Sequence, residues 1–203
     1  MSNKTETLED KELVETVLSG NTNAFSFIIQ STEGLVAQIV FKMIPNSEDR
    51  KDMAQDIYLK AFKNLSNFRF GSKLSTWIGQ IAYNNCTDFL RKKKLVLIDN
   101  MHGDEEPQEQ ELEHLHQKFS ASESFNTESI IFQRELSGIL KREIEKLSPV
   151  FKTLITLYHN EELAYEEISQ ITGLPVGTLK SYLFRARKAL RDNVLLNYKK
   201  EEL

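Results

Sequence analysis

The sequence predicts an all-α protein with two small helical domains joined by an acidic, flexible linker. Glycine and proline are scarce, with 8 and 4 of 203 residues, which disfavours a β-protein with many tight turns. Apolar residues recur at helical spacing in both halves of the chain, and no strand-like alternation stands out. Between the halves lies a stretch without sustained periodicity, in which acidic residues dominate.

Four helices are predicted in the first block, residues 1–98, from runs of apolar residues at helical spacing. Their approximate extents are 8–18, 24–44, 47–65 and 75–97. Ser47 and Ser75 are predicted as the N-caps of the third and fourth helices, because a serine hydroxyl can accept a hydrogen bond from the first free N–H groups. A loop, residues 66–73, separates these two helices.

The segment 99–128 carries nine acidic residues and one basic residue, Lys118, whereas the blocks on either side each carry a net charge of +2. We interpret this segment as a mobile tether, because a high net charge and few apolar residues oppose a packed core. As a random coil, about 30 residues span about 30 Å, and fully extended they reach about 100 Å. The tether would therefore allow the two blocks to work far apart.

Four further helices are predicted in the last block, residues 129–203. Their approximate extents are 130–147, 149–159, 165–171 and 176–197. Ser148 followed by Pro149 is typical of a capped helix start, and Gly173 lies in the short turn between the last two helices. A short helix, a turn containing glycine and a longer helix are typical of a helix-turn-helix, with Ile168 and Leu179 in its core.

The last helix is predicted to read DNA. Between Lys180 and Arg191 it carries five basic residues and no acidic one. Short polar and long basic side chains near the start of such a helix can bond base edges, and basic residues further along can neutralise phosphates. The candidate contact residues are Thr178, Lys180, Ser181, Phe184, Arg185 and Lys188. The alternative is a solvated basic face on a helical hairpin.

The loop before the fourth helix is predicted to bind single-stranded nucleic acid. Its candidate residues are Phe68, Arg69, Phe70, Gly71, Ser72 and Lys73. Aromatic rings can stack on unpaired bases while cations meet phosphates and amides bond base edges. The competing interpretation is structural, since aromatic residues at helical spacing, such as Trp77 and Phe89 in the next helix, are typical of a core.

Three parts of the sequence resemble bacterial sigma factors of the extracytoplasmic-function group, within the sigma-70 family. Residues 52–62, DMAQDIYLKAF, resemble the polymerase-binding helix of sigma region two, and residues 74–84, LSTWIGQIAYN, resemble the promoter-melting helix that follows it. Residues 165–168 and 176–191, YEEI and VGTLKSYLFRARKALR, resemble region four. The similarity covers roughly residues 10–95 and 130–195, in the expected order.

The resemblance implies a transcription initiation factor, and not an enzyme, that binds core RNA polymerase, directs it to promoter DNA and helps to open the duplex. The residues matching the surface that meets the clamp helices of the largest polymerase subunit are Asp52, Gln55, Asp56 and Leu59. The loop from Phe68 to Lys73 matches the segment that cups a base flipped out of the −10 element, and Asn84 matches a position lining that pocket. The last helix would enter the major groove of the −35 element.

The resemblance also bears on partners and geometry. It implies an anti-sigma factor as a regulatory partner, no cofactor, no metal and no catalytic residue. The −10 and −35 elements of such promoters lie on the order of 70 Å or more apart, at ~3.4 Å per base pair. The linker, residues 99–128, must therefore be stretched when both elements are bound.

Other classes of function are weighed from the residues. One alternative is a helix-turn-helix regulator that is not a sigma factor, whose first block would sense a signal or form dimers. A metal site at His102, His114 and His116 is disfavoured, because the last two would face apart on a helix. A single cysteine, Cys86, excludes an intramolecular disulfide. Without a signal region or a long apolar run, the chain is expected in the cytoplasm with no membrane insertion.

Overall fold

The structure is a computed structural model that describes residues 2–95 and 127–198. Within these ranges the chain forms eight α-helices and no β-strand, which confirms the predicted all-α class. The helices are α1 (Ser2–Leu18), α2 (Phe25–Met43), α3 (Ser47–Asn64), α4 (Leu74–Leu95), α5 (Thr127–Glu145), α6 (Pro149–His159), α7 (Tyr165–Thr172) and α8 (Val176–Asn197). Nearly all of the predicted tether, and all three histidines considered as metal ligands, lie outside the described residues.

Both predicted N-caps in the first block are wrong. Asn46, and not Ser47, caps α3, because Asn46 has an extended backbone and its side chain accepts a hydrogen bond from the N–H two residues further on, at 2.8 Å. The fourth helix begins at Leu74, one residue before Ser75. The Leu74 N–H donates at 2.8 Å to a carboxylate oxygen of Asp10. A side chain from α1 therefore bonds the first N–H of α4, one residue before the predicted serine cap.

The helix-turn-helix forms as predicted, except that α7 extends one residue further, to Thr172. Ser148 caps α6 with Pro149 at its first position, as expected. Gly173 ends α7 with φ of +72°, a left-handed conformation that residues other than glycine rarely adopt. The Ser169 hydroxyl donates to the Leu174 carbonyl at 2.6 Å, across the turn. These contacts fix the direction in which the chain enters α8.

Helix α2 occupies the centre of the fold, in contact with α1, α3, α4 and α6. By length and composition, the stretch Thr22–Met43 is the one candidate membrane span within the described residues. In the fold, its side chains Ile28, Ile39 and Met43 are almost fully buried against the neighbouring helices. This is the arrangement of a core helix, because its apolar face is covered by protein on several sides.

A buried carboxylate joins the two ends of the last block. Glu143 of α5 has no exposed surface, and Lys146 donates to it at 2.6 Å. Asn197 and Tyr198, at the end of α8, both lie 3.4 Å from its carboxylate oxygens. A buried charge is tolerated only when such partners are present, so these contacts hold the end of α8 against α5.

The two helical blocks pack against each other. Helix α2 contacts α6, and α4 contacts α7. The buried apolar residues of both blocks belong to one continuous cluster, which includes Ile78 of α4 and Ile171 of α7. The last block therefore shares its core with the first one.

We expect Cys86 to be almost unreactive in the folded chain. Its side chain is fully buried, and burial raises the pKa of its thiol from about 9 to about 12. At pH ~8 only about one such thiol in ten thousand is the reactive thiolate. The rate of reaction with dithionitrobenzoate should fall by orders of magnitude relative to the chain in guanidinium chloride. The variant Lys63→Cys, which adds an exposed thiol, is the control and should react at once; equally rapid reaction of the parent's thiol would contradict the burial of α4.

Candidate polymerase and promoter interfaces

The four residues predicted to meet polymerase lie together on the outer face of α3. Asp52, Gln55, Asp56 and Leu59 are all exposed, with Leu59 54% exposed. Within the part of the chain that the structure describes, the two acids and the amide form no side-chain hydrogen bond or ion pair. We call these four residues the α3 patch. Its unpaired acceptors are available to a basic partner.

Exposed apolar surface adjoins the α3 patch. Phe62, one turn after Leu59, is 41% exposed. Its ring meets the buried ring of Phe25 edge to face, with centroids 5.1 Å apart. Met53 and Ile57 of the same helix are buried. A surface of acids beside exposed apolar groups is suited to a partner that offers both basic and apolar contacts.

The loop between α3 and α4 is organised by a cluster of three aromatic rings that are tilted against one another. Phe68 is buried, and its ring lies 4.8 Å from Phe70 and 5.2 Å from Trp77, centroid to centroid. Phe70 has φ of +54°, an uncommon left-handed conformation for a bulky residue. This backbone turn places the Phe70 ring on Phe68. Trp77 is half-buried, so it both packs on the core and borders the loop.

An open cleft of about 330 Å³ lies beside this loop. Its lining residues are Asn67, Phe68, Arg69, Gly71, Ser72, Thr76, Trp77, Gln80 and Gln170. The lining combines aromatic surface with hydroxyl, amide and guanidinium groups, which is the chemistry that a flipped base requires. Of the predicted loop residues, Phe68, Arg69, Gly71 and Ser72 line it, whereas Phe70 and Lys73 do not.

The cleft adds residues that sequence reasoning did not assign to it. Thr76 and Gln80 lie one turn apart on α4 and face the cleft with Trp77 between them. Their spacing of four residues places them on one helix face, and this pattern could have identified them. Asn84 continues along α4 one turn after Gln80 and is exposed, but it does not line the cleft. A role for Asn84 stays a prediction.

The recognition helix α8 is anchored by its apolar side. Leu179 and Leu183 are buried against Ile168 and Ile171 of α7, as the sequence predicted for the helix-turn-helix core. The six predicted contact residues are partly or fully accessible to solvent. Lys180 and Lys188 are exposed, and Thr178, Ser181, Phe184 and Arg185 are half-buried.

Aromatic rings hold several cations of this block. The rings of Tyr158 and Tyr165 stack with centroids 5.0 Å apart and planes 15° apart. The Lys180 ammonium lies 5.6 Å from the centre of the Tyr165 ring, and the Arg187 guanidinium lies 5.1 Å from the centre of the Tyr158 ring. Burial raises the pKa of Tyr165, so its ring stays neutral beside these cations. These contacts restrict the cations before any DNA is bound.

Two family models match the chain, each within one helical block. The model described as Sigma-70 region 2 matches residues 28–96, which include the α3 patch and the cleft loop. The model described as Sigma-70, region 4 matches residues 137–190, which include the helix-turn-helix. Both matches agree with the order of segments expected from the sequence.

Solved structures support the fold. CnrH in complex with the cytosolic domain of CnrY has a TM-score of 0.60 at 18% identity, over 93% of this chain and 99% of that one. The sigma factor RpoE in complex with the anti-sigma factor NepR, from Bartonella quintana, has a TM-score of 0.58 at 19% identity, over 86% of this chain and 98% of that one. The arrangement of helices is therefore shared with proteins of very different sequence.

Curated relatives establish the family. The ECF RNA polymerase sigma-E factor of Escherichia coli (strain K12) is 33% identical over 193 residues, which are 93% of this chain and 96% of the relative. The ECF RNA polymerase sigma factor SigW of Bacillus subtilis (strain 168) is 31% identical over 184 residues, 91% of this chain and 96% of the relative. The chain therefore belongs to the extracytoplasmic-function RNA polymerase sigma factors, the initiation factors that direct core polymerase to promoters.

Proposed function

We propose that the chain divides the work of initiation between two domains. Residues 1–98 form the region-two domain, which binds core polymerase and melts the −10 element. Residues 129–203 form the region-four domain, which recognises the −35 element, and residues 99–128 link the two. The observation that carries the proposal is that the α3 patch and nearly all of the cleft lining belong to the first block, whereas the recognition helix α8 belongs to the last block.

The α3 patch binds the clamp helices of the largest polymerase subunit in this proposal. Asp56 and Asp52 supply negative charge, Gln55 supplies hydrogen bonds, and Leu59 and Phe62 supply apolar contact. Burying Leu59 and Phe62 against the partner would drive association, while the acids select a basic surface. The exposed ring of Phe62 was not among the residues expected from the sequence.

The cleft receives a base extruded from the non-template strand. Extrusion costs a few kcal/mol, so the cleft must return that free energy through stacking and hydrogen bonds. Trp77 offers partly exposed aromatic surface and Gln80 offers an exposed amide for the base edge, whereas Phe68 and Thr76 line the cleft but are almost fully buried. Arg69 is exposed at the rim, where it can meet a backbone phosphate.

The recognition helix binds the −35 major groove through its exposed face. Lys180 and Arg185 are the best candidates for base contacts, and Lys188 is positioned one turn later for phosphate. The ring beneath Lys180 limits its rotamers, so less side-chain entropy is lost when DNA is bound. The chain works as an initiation factor in the cytoplasm and catalyses no reaction itself. An anti-sigma factor controls it by covering these surfaces, a proposal supported by the similar fold of RpoE, which is solved in complex with the anti-sigma factor NepR.

Run-off transcription tests the function as a whole. Purified core polymerase should initiate at specific genomic promoter fragments only when the chain is added. Those fragments would also define the promoter sequence. If core polymerase copurifies with the chain but initiates at no promoter fragment, the promoter-directing role is rejected.

The α3 patch is tested by reversing its charge. The double variant Gln55→Ala and Asp56→Arg should weaken binding to core polymerase by about tenfold or more, because a basic partner would meet a cation. Affinity is measured by fluorescence anisotropy with labelled chain. Glu12→Arg, which adds the same positive charge on exposed α1, should bind as the parent does. Equal affinity of all three proteins would place the polymerase contact elsewhere.

The −35 surface is tested by removing single cations. Lys180→Ala and Arg185→Ala should each weaken promoter binding by ~1–3 kcal/mol if a bidentate base contact is lost, while loss of a phosphate contact mainly reduces the salt slope. Binding of the holoenzyme is measured across salt concentrations. Lys141→Ala removes an equal charge from an exposed site on α5 and is the matched control. Normal promoter binding by both variants at every salt concentration would reject this recognition surface.

The cleft is tested by the rate of promoter opening. Gln80→Ala and Asn84→Ala should leave polymerase binding unchanged and slow open-complex formation several-fold, because each removes a polar partner of the extruded base. Permanganate reactivity of unpaired thymines reports the opening. Asn160→Ala, an exposed amide in the last block, is the control. If only Gln80→Ala slows promoter opening, the base binds in the cleft and Asn84 has no part in binding it. If neither variant slows opening, the cleft does not bind the base.

A further inference from the structure

The first helix of the chain holds both ends of the cleft loop. The Asp10 carboxylate of α1 accepts the hydrogen bond of the Leu74 N–H at 2.8 Å, at the point where the loop enters α4. At the other end of the loop, α1 contacts the short 3-10 turn Leu65–Asn67, which follows α3. Helix α1 is itself anchored in the core by Val14 and Val17, which are buried. Both ends of the loop therefore rest on one helix from a distant part of the chain.

The bond from Asp10 meets a requirement of the N-terminus of α4. The first N–H groups of a helix have no acceptor within the helix itself. The nearby hydroxyl of Ser72 is engaged elsewhere, since it donates to the Lys73 carbonyl at 3.2 Å. The negative charge of Asp10 also favours the positive end of the helix dipole. Without this carboxylate the Leu74 N–H, which is partly buried, would lose its acceptor.

The backbone of the cleft loop needs support from outside the loop. Phe70 has φ of +54°, and a left-handed conformation of a bulky residue persists only where the surroundings fix it. The tilted rings of Phe68 and Trp77 fix one side of the loop. Asp10 fixes the point where the loop becomes a helix. The loop therefore has two supports, one aromatic and one polar.

The junction at Leu74 matters because the cleft has two walls. Arg69 lies on the wall formed by the loop, whereas Trp77 and Gln80 lie on the wall formed by α4. Leu74 lies between these walls in the chain and is only 2% exposed. A base that meets both walls at once is bound well only when the angle between them is correct. Asp10 does not line the cleft, so it acts on the shape of the cleft and not on the base.

We propose, on the basis of the function proposed for the cleft, that Asp10 is a positioning residue for promoter opening. Its carboxylate holds the junction between the loop and α4 in the conformation that accepts the extruded base. Helix α1 lies before residues 28–96, which the Sigma-70 region 2 model matches, so this support comes from outside the matched segment. The position of the acceptor oxygen is what matters, and the charge of the carboxylate is secondary.

Three variants of Asp10 separate the position of the acceptor from its charge. Asp10→Asn keeps an acceptor oxygen at the same reach and removes the charge, whereas Asp10→Glu keeps the charge and moves the oxygens outward by one methylene group. Asp10→Ala removes both. Glu9→Ala is the matched control, because Glu9 is the adjacent exposed acid on α1. Thermal unfolding identifies a temperature at which the proteins are folded, and the first two variants decide the comparison if Asp10→Ala does not fold.

Hydrogen exchange of the free chain measures the support itself. Peptides that cover residues 68–77 should exchange about threefold to tenfold faster in Asp10→Glu and Asp10→Ala than in the parent, with a smaller change in α2. Asp10→Asn and Glu9→Ala should stay within about twofold of the parent. Unchanged exchange of the loop in Asp10→Glu and in folded Asp10→Ala would overturn the proposal. This measurement needs neither polymerase nor DNA.

Promoter opening by the holoenzyme measures the consequence for function. Asp10→Glu and Asp10→Ala should slow opening, detected with permanganate, about threefold to tenfold, and Asp10→Asn should recover most of the parent rate. Affinity for core polymerase should be the same for all variants, because the α3 patch is unaltered. Slow opening by Asp10→Asn together with normal opening by Asp10→Glu would show that charge matters and would overturn the proposal.

Combination with a cleft variant tests whether Asp10 acts through the cleft. In the Gln80→Ala background, Asp10→Glu should slow opening by a smaller factor than it does in the parent, because the two changes impair the same binding step. Fully multiplicative effects would overturn the positioning role and leave the cleft intact. If Gln80→Ala alone opens promoters as the parent does, the function proposed for the cleft is rejected instead.

Discussion

The structure depends on the burial of α2, an apolar helix that one neighbour cannot cover. Ile28 and Ile39 have no exposed surface, and the helix is surrounded by α1, α3, α4 and α6. The first three neighbours come from the same block, and α6 comes from the block beyond the linker. Apolar burial is favourable in proportion to the area removed from water. The second block is thus held by the same force that folds the first, and separating the two exposes apolar surface that a partner must cover.

Local features of the fold could be predicted from the sequence, because they are recorded in residues close together. Apolar spacing predicts all eight helices, and Gly173 predicts the turn before α8. The start of α4 could not be predicted correctly, because its first N–H is bonded by Asp10, 64 residues earlier. Nothing local indicates which distant side chain will cap a helix. The error of one residue at α3 has a simpler origin, since asparagine and serine are both good caps and Asn46 comes first.

The candidate site likewise combines features that local sequence predicts with features that depend on long-range contacts. The residues that line the cleft from α4 share one helix face, so their grouping follows from helical periodicity. Gln170 reaches the cleft only because α7 packs on α4, and Gly79 gives no sign in the sequence that a second block will rest on it. A glycine within a helix is normally a cost. Its value appears only when the long-range contact is known.

The burial of Glu143 has a practical consequence for the end of α8. Its carboxylate is buried, and two of its three partners, Asn197 and Tyr198, are the last residues that the structure describes. Proteolysis just before Asn197, or a purification tag beyond residue 203 that pulls the end of α8 outward, would leave this carboxylate in the interior with Lys146 as its remaining partner among the described residues. The loss would weaken the packing of α5 on α8, which supports the recognition helix. Purification tags are therefore better placed at the other end of the chain.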